Sequence, residues 1–249
     1  MNRITKLCLL LSALLVGSLC FPAAASDFTV RTVGTLPPPS IPDGAKNPGV
    51  AGAFIGGIGD RIVLAGGSNF AQGAPWDGDA KQFEDAIYLL TPSGGTYKCE
   101  LVADAKLPAG IAHGCAAVAG RSLYCFGGLT AEGESRAVYV LMLAGNSVRV
   151  AAAGVLPEDF RPAAALAYKD EIYIHGVKDG ANAFWRFSPV SGKWTELAAC
   201  PGAVRSAGPA FVAQHNGREN AMYLIGGRHE KGGELQLYSD VWEYMPLHD

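Results

Sequence analysis

Apolar positions in this chain come in short runs closed by glycine rather than in long helical stripes. Four such runs stand out: Arg61-Ile-Val-Leu-Ala-Gly-Gly67, Ser122-Leu-Tyr-Cys-Phe-Gly-Gly128, Glu171-Ile-Tyr-Ile-His-Gly176 and Ala221-Met-Tyr-Leu-Ile-Gly-Gly227. Each reads as a strand. A strand rich in small residues precedes each one: Val50 to Gly56, His113 to Val118, Ala163 to Tyr168 and Gly208 to Ala213. A third strand follows each: Asp85 to Leu90, Ala137 to Leu141, Ala183 to Phe187 and Asp240 to Tyr244. A fourth follows in three of the units, at Tyr97 to Val102, Val148 to Ala152 and Lys193 to Leu197. These outer strands lead to Leu107-Pro108, Leu156-Pro157 and Cys200-Pro201.

The final glycines of the four runs are 61, 48 and 51 residues apart. Four strands repeated at about fifty residues predict a kelch-type β-propeller, an all-β fold. The Gly-Gly pair marks a place where the backbone bends with φ > 0. Small side chains suit the innermost strands, and the aromatic residues of the third and fourth strands suit packing between blades. The fourth unit lacks an outer strand, while Phe28 to Val33, ending at Leu36-Pro37, reads as an outer strand with no inner strands before it. Two arrangements fit. The N-terminal strand completes the last blade and closes a four-bladed ring of sixteen strands, or the four units form part of a six-bladed propeller.

Composition sharpens this picture. The 249 residues include 32 glycines and only 17% charged residues, which disfavours long amphipathic helices. With 20 basic and 23 acidic residues the net charge is −3, so the chain has no basic excess for nucleic acid. Residues 1–25 carry a basic start (Arg3, Lys6), an apolar run from Leu7 to Phe21 and the small-residue site Ala23-Ala24-Ala25. This predicts a secretory signal peptide, with residues 26–249 as one propeller domain exported to the periplasm in a Gram-negative source. No later apolar run approaches the length of a membrane span. Export makes disulfides permissible. If Val118 pairs with Ser122, Cys115 lies opposite Cys125; the alternative is two buried thiols on adjacent strands. No C-x-x-C motif is present.

Three stretches carry a family resemblance: Gly49-Val-Ala-Gly-Ala-Phe54, Leu64-Ala-Gly-Gly-Ser-Asn-Phe70, and Trp76 through Lys81 and Asp85 to Tyr88. Together they resemble the cyclically permuted sialic acid mutarotases, the kelch-repeat family of N-acetylneuraminate epimerase. Ala71 stands where the family has Pro, and Asp79 interrupts its second glycine doublet. The likeness continues to Leu224-Ile-Gly-Gly-Arg228. It implies a periplasmic isomerase that interconverts sialic acid anomers without a cofactor, on a six-bladed propeller. It also implies a Gly-Glu-x-x-Pro-Gly-x-Arg motif whose Glu and Arg act in proton transfer and carboxylate binding. That motif is absent here, and the chain is about two blades short of the family pattern. A noncatalytic propeller that binds glycans or proteins is the alternative, as is a truncated, inactive member.

Anomer exchange needs acid and base groups at the anomeric oxygen, and a sugar carboxylate favours an Arg fork. Propeller ligands bind where the loops leading into inner strands meet the loops between second and third strands. Arg228 and Glu230, directly after the fourth Gly-Gly, are the candidate catalytic pair. In a closed four-bladed ring they occupy a place similar to that of the missing motif. Asn69, His113, Arg161 and Arg205 are candidate substrate-binding residues from their loop positions. The competing readings are solvated or ion-paired arginines, a structural hydrogen bond for His113 and a left-handed turn residue for Asn69. Lys81 and Asp85 read equally well as part of a turn. The five histidines lack metal-ligand spacing, so no metal site is expected. No G-x-S-x-G elbow is present, and Gly56-Gly-Ile-Gly59 has no helix after it to make a phosphate loop.

Overall fold

The computed structural model describes residues 30–38, 47–70, 73 and 75–245. The proposed signal peptide lies outside them. The chain divides into residues 1–32, of which Val30 to Thr32 are described as exposed and outside any strand, and residues 33–249, which contain the propeller.

Every large sheet is an antiparallel meander. Blade 1 comprises β1 (Phe54–Ile58), β2 (Arg61–Ala65), β5 (Ala86–Ser93) and β6 (Thr96–Lys106), with the short pair β3 (Ser68–Asn69) and β4 (Gln82–Phe83) in the loop between β2 and β5. Blade 2 comprises β7 (Cys115–Ala119), β8 (Ser122–Thr130), β9 (Gly133–Ala144) and β10 (Ser147–Val155). Blade 3 comprises β11 (Phe160–Tyr168), β12 (Glu171–Lys178), β13 (Ala181–Phe187) and β14 (Trp194–Leu197). Blade 4 has three strands, β15 (Ala210–His215), β16 (Asn220–Ile225) and β19 (Val241–Tyr244). Between β16 and β19 stands a separate hairpin, β17 (Arg228–Lys231) and β18 (Glu234–Leu237). The inner strands touch in order, β1 to β7, β7 to β11 and β11 to β15, which sets four blades in a propeller arrangement. β15 and β1 make no comparable contact.

Adjacent strand residues point to opposite faces, so each blade can bury two apolar faces. On β8, Cys125 enters the core between blades 1 and 2, with Phe54, Val63, Ile87 and Leu141, while Phe126 enters the core between blades 2 and 3. There it meets Phe187 edge-on at 5.7 Å and Trp194 at 6.0 Å. A smaller cluster of Tyr173, Phe184 and Met222 joins blades 3 and 4.

The glycine doublets behave as their chemistry requires. Gly127 and Gly128 have φ of 56° and 120°, and a Cβ on Gly128 would lie 2.6 Å from the Ala112 carbonyl oxygen. The doublets of blades 1 and 4 share this left-handed geometry. Blade 3 departs from it. Its His175-Gly176 pair has no positive φ, and β12 runs on to a tight turn at Asp179-Gly180. Gly176 is still needed, because a Cβ there would fall 2.2 Å from the Arg161 carbonyl oxygen.

Two expectations are corrected. First, Ala119 pairs with Ser122 across a two-residue turn, so Cys125 faces Ala116 and Cys115 faces Phe126. The two sulfurs therefore lie on opposite faces of the sheet, and the four described cysteines are free thiols. Second, of the stretch expected to complete blade 4, Phe28 and Thr29 lie outside the described residues, and its end from Val33 onward bonds to blade 1. The Tyr97 amide on β6 donates to the Val33 carbonyl at 2.9 Å. Gly34 packs so close to Cys99 that a Cβ would lie 2.5 Å from its sulfur. Asn47 Nδ2 donates to Pro37 O at 2.7 Å and to Tyr88 Oη at 3.0 Å. These bonds hold the segment to blade 1, the nearest blade along the chain.

Phe126→Ala should destabilise the fold by about 3–5 kcal/mol, the usual cost of truncating a buried aromatic. The measurement is urea unfolding followed by tryptophan fluorescence.

Candidate functional site

The loops leading into the inner strands of blades 2, 3 and 4 meet the loops between second and third strands of blades 2 and 3. Between them they leave a cavity of about 560 Å³. His113 comes from the loop before β7, Glu158, Asp159 and Arg161 from the stretch around the start of β11, and Ser206 from the loop before β15. Glu134 and Arg136 come from β9, just past its turn, and Asp179 from the turn after β12. His113, Asp159 and Asp179 have φ of 63°, 56° and 52°. Asp tolerates this region because its short polar side chain bonds locally; a left-handed histidine is less common and marks a constrained position.

Arg161 Nε donates to Glu134 Oε2 at 2.8 Å, and both side chains are exposed. Such a pair contributes little to stability, so Arg161 is free to exchange Glu134 for a ligand carboxylate. Arg136 Nη2 donates to the Leu156 carbonyl at 2.7 Å, which ties the β9 end to the loop ahead of β11. Four carboxylates and two guanidinium groups thus line one cavity.

The His113 amide donates to Gly52 O at 2.8 Å, and the Nε2 atom lies 3.2 Å from Ser68 Oγ. Partial burial, and then the positive charge of Lys81, lower its pKa below the ordinary 6.5. His113 is therefore neutral at pH 7. It also lines a second opening of about 480 Å³, toward blade 1, with Asn69, Phe70 and Lys81. Asn69 is buried there, with Nδ2 donating to Glu84 Oε1 at 2.8 Å and Oδ1 lacking a protein partner.

The remaining candidates stand apart. Arg205 is completely buried. Nη1 donates to Gly226 O at 2.9 Å and Nη2 to Asp240 Oδ2 at 2.7 Å, and the guanidinium lies 5.1 Å from the centre of the Tyr238 ring. The structure places it as an anchor for the β16–β19 connection, with no surface turned to a ligand. Arg228 and Glu230 are exposed on β17 and line neither cavity. Their hairpin touches the site's rim through His229 Nδ1, 3.0 Å from Ser206 Oγ. So the structure brings His113 and Arg161 to one cavity and His113 and Asn69 to the next. Glu134, Arg136 and Asp159 were missed in the sequence. Glu134 and Arg136 sit just past a second-to-third-strand turn, a place that could have drawn attention. Asp159 gave no signal. Among the described residues, no three His, Cys, Asp or Glu side chains are grouped to hold a metal ion.

The Arg205–Asp240 pair carries a pH signature. Its hydrogen bond from Arg205 lowers the Asp240 pKa from 3.8 to about 2. A depressed carboxyl stabilises the fold above its unfolded value, and the contribution is lost as pH falls from about 4 to 2. Asp240→Ala should cost about 3 kcal/mol at pH 7, because it leaves a buried guanidinium unpaired. Urea unfolding of both proteins should show the gap narrowing below pH 4.

Comparison with known proteins agrees with the fold. A solved structure described as that of YjhT superposes with a TM-score of 0.58 at 16% identity, covering 76% of this chain and 63% of that one. The N-acetylneuraminate epimerases of Brucella suis and Brucella melitensis are each 35% identical over 130 residues. That match covers 48% of this chain and 31% of each relative. A kelch domain-containing protein of Vibrio cholerae is 33% identical over 106 residues, 39% of this chain and 28% of the relative. The matched stretch thus spans about a third of these curated relatives. No protein-family model matches the chain. The repeats, the blades and these similarities together make the protein a kelch-type β-propeller.

Proposed function

We propose that this propeller is exported, binds N-acetylneuraminate in the cavity between blades 2 and 3, and speeds exchange of its anomers. The observation that carries the reading is the convergence of Arg161 and His113, from two different loops, on one polar cavity. Two similar proteins named N-acetylneuraminate epimerase support the choice of sugar.

In this reading the sugar carboxylate takes the Arg161 fork from Glu134. Neutral His113 takes the proton of the anomeric hydroxyl. The imidazolium returns a proton to the ring oxygen as the bond from the anomeric carbon to that oxygen breaks. The open ketone turns and recloses through the reverse transfers, giving the other anomer. A second reading is a propeller that binds glycans without catalysis. The surplus of carboxylates in the cavity favours it, since they accept hydroxyl hydrogens from a neutral sugar as readily.

The test is exchange NMR of N-acetylneuraminate with the purified protein. Acceleration over buffer is expected, with Arg161→Ala weakening binding at least tenfold and His113→Ala slowing exchange with little change in binding. Binding without acceleration would select the noncatalytic reading, and neither would remove the sugar. Arg228→Ala and Glu230→Ala report whether the β17–β18 hairpin takes part. Exchange should be flat above about pH 6.5 and fall in acid, as His113 becomes protonated. Export is tested by cell fractionation and by a mature N-terminus at Ser26.

A further inference from the structure

We propose that the cleft between blades 3 and 4 is a second ligand site, for a small neutral aromatic molecule with one hydrogen-bond donor, such as a phenol or an indole. The cleft opens to solvent on one side and leaves a space of about 220 Å³. Phe184, Phe211, Met222, Leu224, Trp242 and Tyr244 give it an apolar lining. An apolar cavity of about 150 Å³ is enough to hold benzene, and ordered water there would need two to four polar partners. Rings suit this lining because the aromatic walls favour edge-on contact.

His175 supplies the polar handle. It stands just before the glycine, at the place of Ala65, Phe126 and Ile225 in the other blades, and it lines the cleft. Nε2 lies 3.2 Å from the Arg205 carbonyl oxygen. A carbonyl only accepts, so in the neutral ring Nε2 carries the hydrogen and Nδ1 is an acceptor. Among the described residues Nδ1 has no partner. Burial pushes the ring's pKa down to about 4, so it stays an acceptor at physiological pH. A charged ligand is disfavoured by the desolvation it would suffer between these blades. This site is separate from the cavity between blades 2 and 3 and does not depend on the sugar reading.

The experiment titrates the full chain with p-cresol and with toluene, read by saturation-transfer NMR and calorimetry. Both should bind, with p-cresol at least fivefold tighter. Ala199→Trp, at the exposed rim of the cleft, should abolish both while leaving the urea midpoint unchanged. His175→Phe should keep toluene binding and erase the preference for p-cresol. No binding of either probe, equal affinity of the two for the unaltered chain, or binding untouched by Ala199→Trp would each overturn the proposal. The wild-type comparison and the rim variant decide the matter even if His175→Phe does not fold.

Discussion

Blades 2 and 3 bury apolar side chains on both faces, and that is the constraint from which the rest follows. A sheet solvated on one side can end a stack; a two-faced sheet needs a neighbour on each side. Neighbouring residues on one strand, Cys125 and Phe126, serve two different cores. Stacking twisted two-faced sheets turns them about an axis and gathers their inner strands. The loops at one end of those strands are then forced together, and the polar cavity forms there from five separate stretches of chain.

The glycine doublets fix how the loops meet. At each left-handed pair the second strand bends and frees backbone groups for the incoming loop. The Gly67 amide donates to Ile111 O at 2.8 Å, and the Arg228 amide, just past the last doublet, to Ala207 O at 2.9 Å. Blade 3 does without the bend. Its second strand puts His175 into the space between blades 3 and 4, at the place that Ala65, Phe126 and Ile225 hold in the other blades. A polar ring thus stands where the other blades have an apolar side chain, in a cleft that Glu243 also lines.

The arginines show how one residue type divides by environment. Arg205 is buried, bonded to Gly226 and Asp240, and holds the last connection of blade 4. Arg161 is exposed and paired to a carboxylate that it can release. Arg161 stands at the start of β11 and Arg205 in the loop ahead of β15, and the sequence reads both alike as leading into inner strands. Burial separates the anchor from the exposed arginine.

Strand order, blade count and the bends at Gly66-Gly67, Gly127-Gly128 and Gly226-Gly227 were legible in the sequence, because alternation and glycine chemistry act over a few residues. So was the loop class that builds the mouth, which is why His113 and Arg161 could be named. The register at Cys115 and Cys125 was not, since one residue more or less in a tight turn reverses every face beyond it. Nor was the resting place of Val33, which a backbone hydrogen bond to β6 decides. Nor was the separation of Arg205, Arg228 and Glu230 from the cavity. The sequence alone determined a four-unit propeller and the loops that meet at its mouth. Which side chains share a cavity, and which are buried as anchors, depended on blade packing, because those contacts join residues dozens of positions apart.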